Sequence, residues 1–401
     1  MEKPAATARA IFQPQRLFAA LLILLGLSGA ASVQAGLGGY PVIHIHGFQA
    51  EQVADRAELK LLDNEALYQY VKNTKSLMGG NEQSATPVIN YNISWNAAFN
   101  LQEEVAEHVF RQLVELQEQS VCDAGCIIMA VSAGDLITRY VLENQAIWFA
   151  QYNRDHGTNL QPLNVLATID LVGAGGGTNL ATLGVWAAQG EELAFLDQLG
   201  IRDMIGEQAG LGDSVTTSLG FVEDLTLAAA RNVATDYASL GIPRFRVSAG
   251  KSTPLLSEVL YGADDGVIAA HSSCGLQAVA AIESCSNRVG YDGALGAFAG
   301  PGSGFLLTKP GLLPNYYPVI MSGNYAHSEA IHGVLGGKAT FVRDDFSANG
   351  LRFDVDAEEA YGGWWIFHRK THQWIAGSDQ KSMVDVIIDA FGGATAPHPQ
   401  P

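Results

Sequence analysis

The sequence is poor in cations: 23 Lys and Arg stand against 41 Asp and Glu in 401 residues, a formal net charge of −18. A surface of that sign repels nucleic acid and anionic lipid head groups, so neither is expected as a partner. Charge of either sign is sparse, at 16% of residues against 48% hydrophobic, which excludes a disordered chain and leaves enough apolar side chains for a large core. Cysteine is scarce too. The four fall into two local pairs, Cys122 with Cys126 and Cys274 with Cys285, whose C-x3-C and C-x10-C spacings miss the usual zinc patterns. Internal repeats and domain-separating linkers are also missing.

The N-terminus differs from the rest. Lys3, Arg9 and Arg16 precede an apolar run from Leu17 to Val33, and Val33-Gln34-Ala35 places small residues where a signal peptidase reads them. The run is interrupted by Gly26, Ser28 and Gly29 and is short of the roughly 20 apolar residues of a membrane span. Residues 1–35 are therefore expected to be a cleaved signal peptide, with the mature chain secreted or periplasmic and without a stable transmembrane segment. Cleavage removes Glu2, Lys3, Arg9 and Arg16, a net +2, so −18 becomes −20. In such an oxidising compartment both cysteine pairs are expected to be disulfides.

From Tyr40 onward, short apolar runs alternate with helical patterns, which predicts an α/β fold with a mostly parallel central sheet flanked by helices. The runs start at Tyr40, Thr86, Cys126, Leu163, Pro243 and Tyr317. Between the second and third, Leu101, Val105, Val109, Leu113 and Leu116 recur at helical spacing, with Glu103, Glu104, Glu107 and Glu115 on the other face as solvated charges. The segment 175–240 separates two runs by too great a length for a bare loop and reads as a helical cap or lid insertion. The body of the fold is placed at 36–395, with 396–401 a frayed tail.

Two identical strings, V-S-A-G, offer a serine at a strand end: one contains Ser132, the other Ser248. A nucleophilic serine on a strained strand-to-helix turn needs small residues two places to either side, and Ala130 and Gly134 supply them around Ser132. A continuous apolar strand precedes Ser132, and a helix follows with Leu136, Ile137, Tyr140, Val141 and Ile147 on the expected buried stripe. Around Ser248 the strand carries Arg244 and Arg246, and Pro254 delays any helix, so Ser248 reads as an ordinary serine. A developing oxyanion needs preplaced N–H donors, and H-I-H-G-F-Q from His44 ends an earlier strand, offering the Phe48 N–H beside that of Ala133.

Four stretches together carry a family likeness: I-H-G-F at 45–48, S-A-G-D-L-I-T-R-Y at 132–140, A-D-D-G-V-I at 263–268 followed by H-S-S-C-G, and A-H-S-E at 326–329. In these, over roughly residues 40 to 335, the chain resembles the bacterial lipase and esterase branch of the α/β-hydrolase superfamily. The resemblance implies an α/β-hydrolase fold, an oxyanion residue after the histidine-glycine pair, an arginine such as Arg139 on the helix after the serine, and an acid before the glycine of an Asp-Gly-Val turn. That acid is Asp265. Asp264 is the alternative acid, or a turn cap, or part of a calcium site of the kind some related lipases have, and Asp170 is a more distant third. His327 follows a strand at the position of the base, while His332 reads as structural. Two residues, Ala130 in place of the usual glycine and Asp135 directly after the turn, depart from the family pattern.

The remaining motifs are bland. His108 sits on an amphipathic helix, His156 in a polar loop, His271 beside a cysteine pair and His398 in the tail, and His368 and His372 lack the intervening glutamate of a zinc protease. G-A-G-G-G-T from Gly173 fails the dinucleotide pattern at Thr178. No cofactor or metal is expected. The expected function is a serine hydrolase of carboxylic esters, a triacylglycerol lipase or carboxylesterase acting on neutral acyl esters, with a lipid–water interface as one place to meet them. Other hydrolases on the same fold (polyester depolymerase, thioesterase, peptidase) and an inactive binding protein are the competing readings.

Overall fold

A computed structural model of the chain describes residues 37, 40–48, 90–188, 220–233, 240–252, 256, 259–296, 317–331, 335–363 and 369–392. The chain divides into two compact units, Met1–Gln34 and Ala35–Pro401. The expected signal peptide, His332, His368, His398 and the tail lie outside the described residues, as do 189–219 and 234–239 of the expected cap.

All six apolar runs contain strands: β1 Val42–Ile45, β2 Asn90–Ile93, β3 Cys126–Val131, β4 Val165–Leu171, β5 Arg244–Ala249 and β6 Val319–Ser322. With β7, Thr340–Val342, they form one seven-stranded sheet in the order β2-β1-β3-β4-β5-β6-β7. Pairing is parallel throughout except between β6 and β7. Helices cover both faces of this mostly parallel sheet. That arrangement explains why β3 is apolar at every position: alternate side chains enter opposite cores. Ile43, Ile45, Cys126 and Ile128 pack on one side with Val109, Leu113, Leu136, Ile137 and Val141. Val42, Ile127, Met129 and Val131 pack on the other with Val384, Ile387 and Phe391. Each such side chain, fully buried, contributes about 1.5–3 kcal/mol.

The helix expected after β2 is α1, Ala106–Glu118, entered through a π-helical turn at Leu101–Val105. Val109, Leu113 and Leu116 are buried, and Glu104, Glu107 and Glu115 are exposed as predicted. Helix α2, Gly134–His156, follows β3 and stops at Gly157, whose φ of 67° is the left-handed cap that glycine adopts without strain. His156 is thus the last residue of a helix, stacked on Tyr152, and not part of a loop. Ile147 corrects the expected stripe, being 67% exposed. It lies six residues beyond Val141, about 240° around the helix at 100° per residue. Gln145 takes the buried place instead, accepting from the Leu163 N–H at 3.0 Å.

Within the segment read as a cap, three described helices stand: α3 Asn179–Ala188, α4 Phe221–Asp224 and α5 Leu227–Val233. Beyond β5 come the short α6, Ala270–Ser273, and α7, His327–Ile331. The C-terminal part adds two antiparallel hairpins, β8 Asp345–Ala348 with β9 Leu351–Asp354, and β10 Ala357–Gly362 with β11 Arg369–Ile375. Helix α8, Met383–Gly392, closes the second core. The cysteines stand in their predicted pairs, Cα atoms 5.0 Å apart for Cys122 and Cys126 and 5.1 Å for Cys274 and Cys285.

The least expected feature of the core is ionic. Arg244, at the start of β5, donates through Nε to Asp170 Oδ2 of β4 at 2.8 Å and pairs through Nη2 with Asp135 at the start of α2. All three side chains are buried, Arg244 at 2% exposure. Burial pushes the Asp170 carboxyl up and the Arg244 guanidinium opposes it. Neutralising the cation would strand two buried carboxylates, a change that costs about 3–5 kcal/mol for a buried pair. Arg244→Met is expected to lose stability of that order in urea unfolding, whereas Arg111→Met, from the exposed pair with Glu107, is expected to change it by less than about 1 kcal/mol.

Candidate active site

Strand β3 ends in a residue that strands do not tolerate. Ser132 has φ of 51°, a left-handed backbone that costs a non-glycine residue free energy unless its surroundings enforce it. They do so on both sides of the peptide: the Ser132 N–H donates to Leu171 O at 2.9 Å, and its C=O accepts from Ala174 at 2.9 Å and from Asp135 at 3.1 Å. Helix α2 then starts so close to the end of β1 that a Cβ on Gly134 would collide with the carbonyl oxygens of Ile45 and His46. Glycine is required at 134 for that reason. Ala130 sits buried in β3, in unbroken register with Ile45 of β1, so the extra methyl group is accommodated.

Loops from two other strands reach the serine. His327, the first residue of α7 after β6, places Nε2 3.0 Å from Ser132 Oγ and Nδ1 2.8 Å from Asp265 Oδ2. A carboxylate only accepts, so Nδ1 carries the ring proton and Nε2 faces the serine hydroxyl as the acceptor. Asp265 is itself fixed, because Oδ1 accepts from the Val267 N–H at 3.0 Å and the Ile268 N–H at 2.7 Å. Its backbone oxygen takes the His327 N–H at 2.8 Å. Ser132 is 8% exposed and the His327 side chain 14%, so the acceptor ring and the hydroxyl sit where a small part of each meets solvent.

The other candidates are placed elsewhere. Asp264 Oδ1 accepts from the Gly266 N–H at 2.8 Å, closing a turn, and burial raises its carboxyl to about 6. Asp170 belongs to the Arg244 cluster. Ser248 lies inside β5, buried, 2.6 Å from both Ser273 Oγ and Tyr291 OH. Phe48 and Ala133 follow β1 and Ser132 respectively, at the same end of the sheet, and among the described residues no backbone oxygen takes either N–H. Among the described residues there is also no group of three or more His, Cys, Asp or Glu side chains suited to a metal ion.

Asp135 is not a loose charge beside the serine. Oδ2 accepts from the Gly175 N–H at 2.9 Å and Oδ1 meets Arg244. A Cβ on Gly173 would lie 2.5 Å from that Oδ2, so the G-A-G-G-G-T run is glycine-rich because it wraps a buried carboxylate. The same run holds Arg139, whose Nη1 donates to Gly175 O, and reaches the acid loop through Thr178 Oγ1, which donates to Val267 O at 2.6 Å. In the sequence Arg244 marks only the polar character of the strand before Ser248. The available signal was an arginine and an aspartate inside two apolar strands, where charges persist only in pairs.

No protein-family model matches the chain, and no curated protein matches it. Among solved structures it is similar to a mature Bacillus licheniformis lipase, at 15% identity over 60% of this chain and 79% of that one, with a TM-score of 0.35. It is similar to EstA from Clostridium botulinum at 14% identity over 76% and 85% of the chains, with a TM-score of 0.37. The phospholipase PlaB of Legionella pneumophila is 15% identical over 58% of this chain, which spans 45% of that protein, with a TM-score of 0.34. Likenesses this remote bear on neither activity nor substrate.

Behind the acid loop, His271 of α6 is buried with Nδ1 2.9 Å from Arg231 Nη2 of α5, and burial followed by the arginine charge lowers its pKa from 6.5 to about 4. A depressed histidine favours the neutral form in the folded state. Its contribution is complete above pH 6.5 and is lost as pH falls toward 4. The stability difference between the natural chain and His271→Gln, followed by urea unfolding, should therefore shrink steadily between those two pH values.

Proposed function

We propose that the chain is a serine hydrolase of carboxylic esters, a lipase or carboxylesterase acting on neutral acyl esters after export. The observation that carries this reading is the hydrogen-bonded chain from Ser132 Oγ through both nitrogens of His327 to Asp265, at 3.0 and 2.8 Å. A serine hydroxyl is a weak nucleophile at neutral pH and needs a base in contact with it, held by a third group.

In this mechanism His327 Nε2 takes the Ser132 proton as Oγ attacks the ester carbonyl. The imidazolium that forms is stabilised by the Asp265 carboxylate, which two backbone N–H groups also hold in place. The N–H groups of Phe48 and Ala133 hold the oxyanion. His327 then protonates the leaving alcohol, and water, activated by the same ring, releases the acid from Ser132. Removing one oxyanion donor in such sites costs about 10²–10³ in rate.

The acidic surface favours a neutral substrate, since it would repel anionic acyl compounds. Export is supported by the N-terminal pattern and by the two cysteine pairs; among the described residues no helix is long and apolar enough to cross a membrane. In this reading 175–240 caps the site, with α3, α4 and α5 as its described parts.

Ser132→Ala is expected to abolish hydrolysis of p-nitrophenyl butyrate, by about 10⁴-fold or more, with an unchanged circular dichroism spectrum. Hydrolysis at the natural rate by this variant would overturn the assignment. Rates against esters of graded chain length divide the finer readings: a preference for long chains that rises above their solubility limit marks a lipase, and a preference for short soluble ones a carboxylesterase.

A further inference from the structure

Among the described residues the largest fully buried side chain is Trp95, two residues past β2, and its contacts converge on the turn that follows β1. The indole Nε1–H donates to His46 O at 3.0 Å, and the Trp95 backbone N–H donates to His46 Nε2 at 3.3 Å. The two rings stack, with centroids 5.1 Å apart and planes 11° apart. Because Nε2 accepts, the ring proton of the neutral imidazole sits on Nδ1, and Nδ1–H donates to Gly47 O at 2.7 Å.

That last bond matters because the Gly47 carbonyl and the Phe48 N–H belong to one peptide group. The group is planar and trans, so its C=O and N–H leave opposite edges. Fixing the carbonyl therefore fixes the direction of the N–H. The preceding carbonyl, His46 O, is held on one side by the indole and approached on the other by α2, where a Cβ on Gly134 would come within 2.8 Å. Both peptides leading to Phe48 are thus oriented by a residue from a neighbouring strand.

We propose that Trp95 is a positioning residue for the oxyanion donor: its indole and backbone N–H groups set the His46 carbonyl and ring, and the ring sets the peptide that carries the Phe48 N–H. The proposal rests on the serine hydrolase reading. Trp95 touches no reacting atom. Its far face packs on Phe221 of α4, with ring centroids 4.5 Å apart, and the Phe221 N–H donates to Ala97 O at 3.0 Å. Helix α4 is thereby joined to the same residue.

Trp95→Phe retains a ring against His46 and removes the indole N–H, while Phe353→Leu, in the core on the other side of the sheet, removes packing and leaves that N–H in place. The expected result for Trp95→Phe is a kcat about tenfold lower on p-nitrophenyl butyrate with KM within about twofold, less than the loss of a donor outright. Phosphonylation of Ser132 by a fluorophosphonate, whose P=O oxygen takes the oxyanion position, should slow in parallel. Phe353→Leu should lower the melting temperature and leave kcat per folded molecule unchanged. A purely structural role would make the two variants alike, and Trp95→Phe with the natural kcat and phosphonylation rate would overturn the proposal even where Ser132→Ala is inactive. A Ser132→Ala chain that still hydrolyses the ester, or is still phosphonylated at the natural rate, would overturn the hydrolase reading and this proposal together.

Discussion

The close approach of α2 to the end of β1 governs the geometry of the end of the sheet where Ser132 stands. Gly134 has no Cβ, so its backbone comes against the carbonyl oxygens of Ile45 and His46. The chain can reach that contact from β3 only by reversing within a residue, and the left-handed φ of Ser132 is how it does so. The strain is borne by the bonds on either side of the serine, to Leu171 O and from the Ala174 N–H, both at 2.9 Å. Once the reversal is made, the end of β1, the serine and the loop after β4 are held together, and the loops after β5 and β6 bring in an acid and an imidazole.

The distribution of charge follows from the same packing. Arg244, Asp170 and Asp135 lie where β4, β5 and α2 meet, away from water and within reach of one another. Such a cluster is a weak source of net stability compared with apolar packing, but a costly one to break, so it fixes the relative placement of the three elements. Asp135 links it to the glycine loop through Gly175, and that loop reaches the acid turn through Thr178 and Val267. A charge three residues from Ser132 is in this way spent on the scaffold.

Much of the architecture is legible in the sequence because its signals are local. Six apolar runs announce six strands, and the three- and four-residue steps from Leu101 announce a helix. Ile147 shows the limit of that reading: an isoleucine near the stripe is not on it once the angle around a long helix is counted, and Gln145 is buried because it caps backbone groups of Leu163. The ionic cluster is legible only in part. Its members are visible as charges inside apolar strands, yet Asp135 lies far from Arg244 in sequence, and no local rule joins them.

The sequence by itself determined the alternation that builds a parallel sheet, the small residues around Ser132 and the order of serine, acid and histidine along the chain. These are properties of neighbours, fixed by side-chain size and hydropathy over a few residues. The flanks already separate the two V-S-A-G strings, and tertiary structure adds the geometry: Ser248 continues its strand into contact with Ser273 and Tyr291 while Ser132 turns out of its own. Tertiary structure decided that Asp265 and not Asp264 meets His327, that Asp135 is neutralised by Arg244, and that Trp95 braces the turn before Phe48. Each of these depends on distances between strands remote in sequence, which only the closed packing of the sheet brings within hydrogen-bond range.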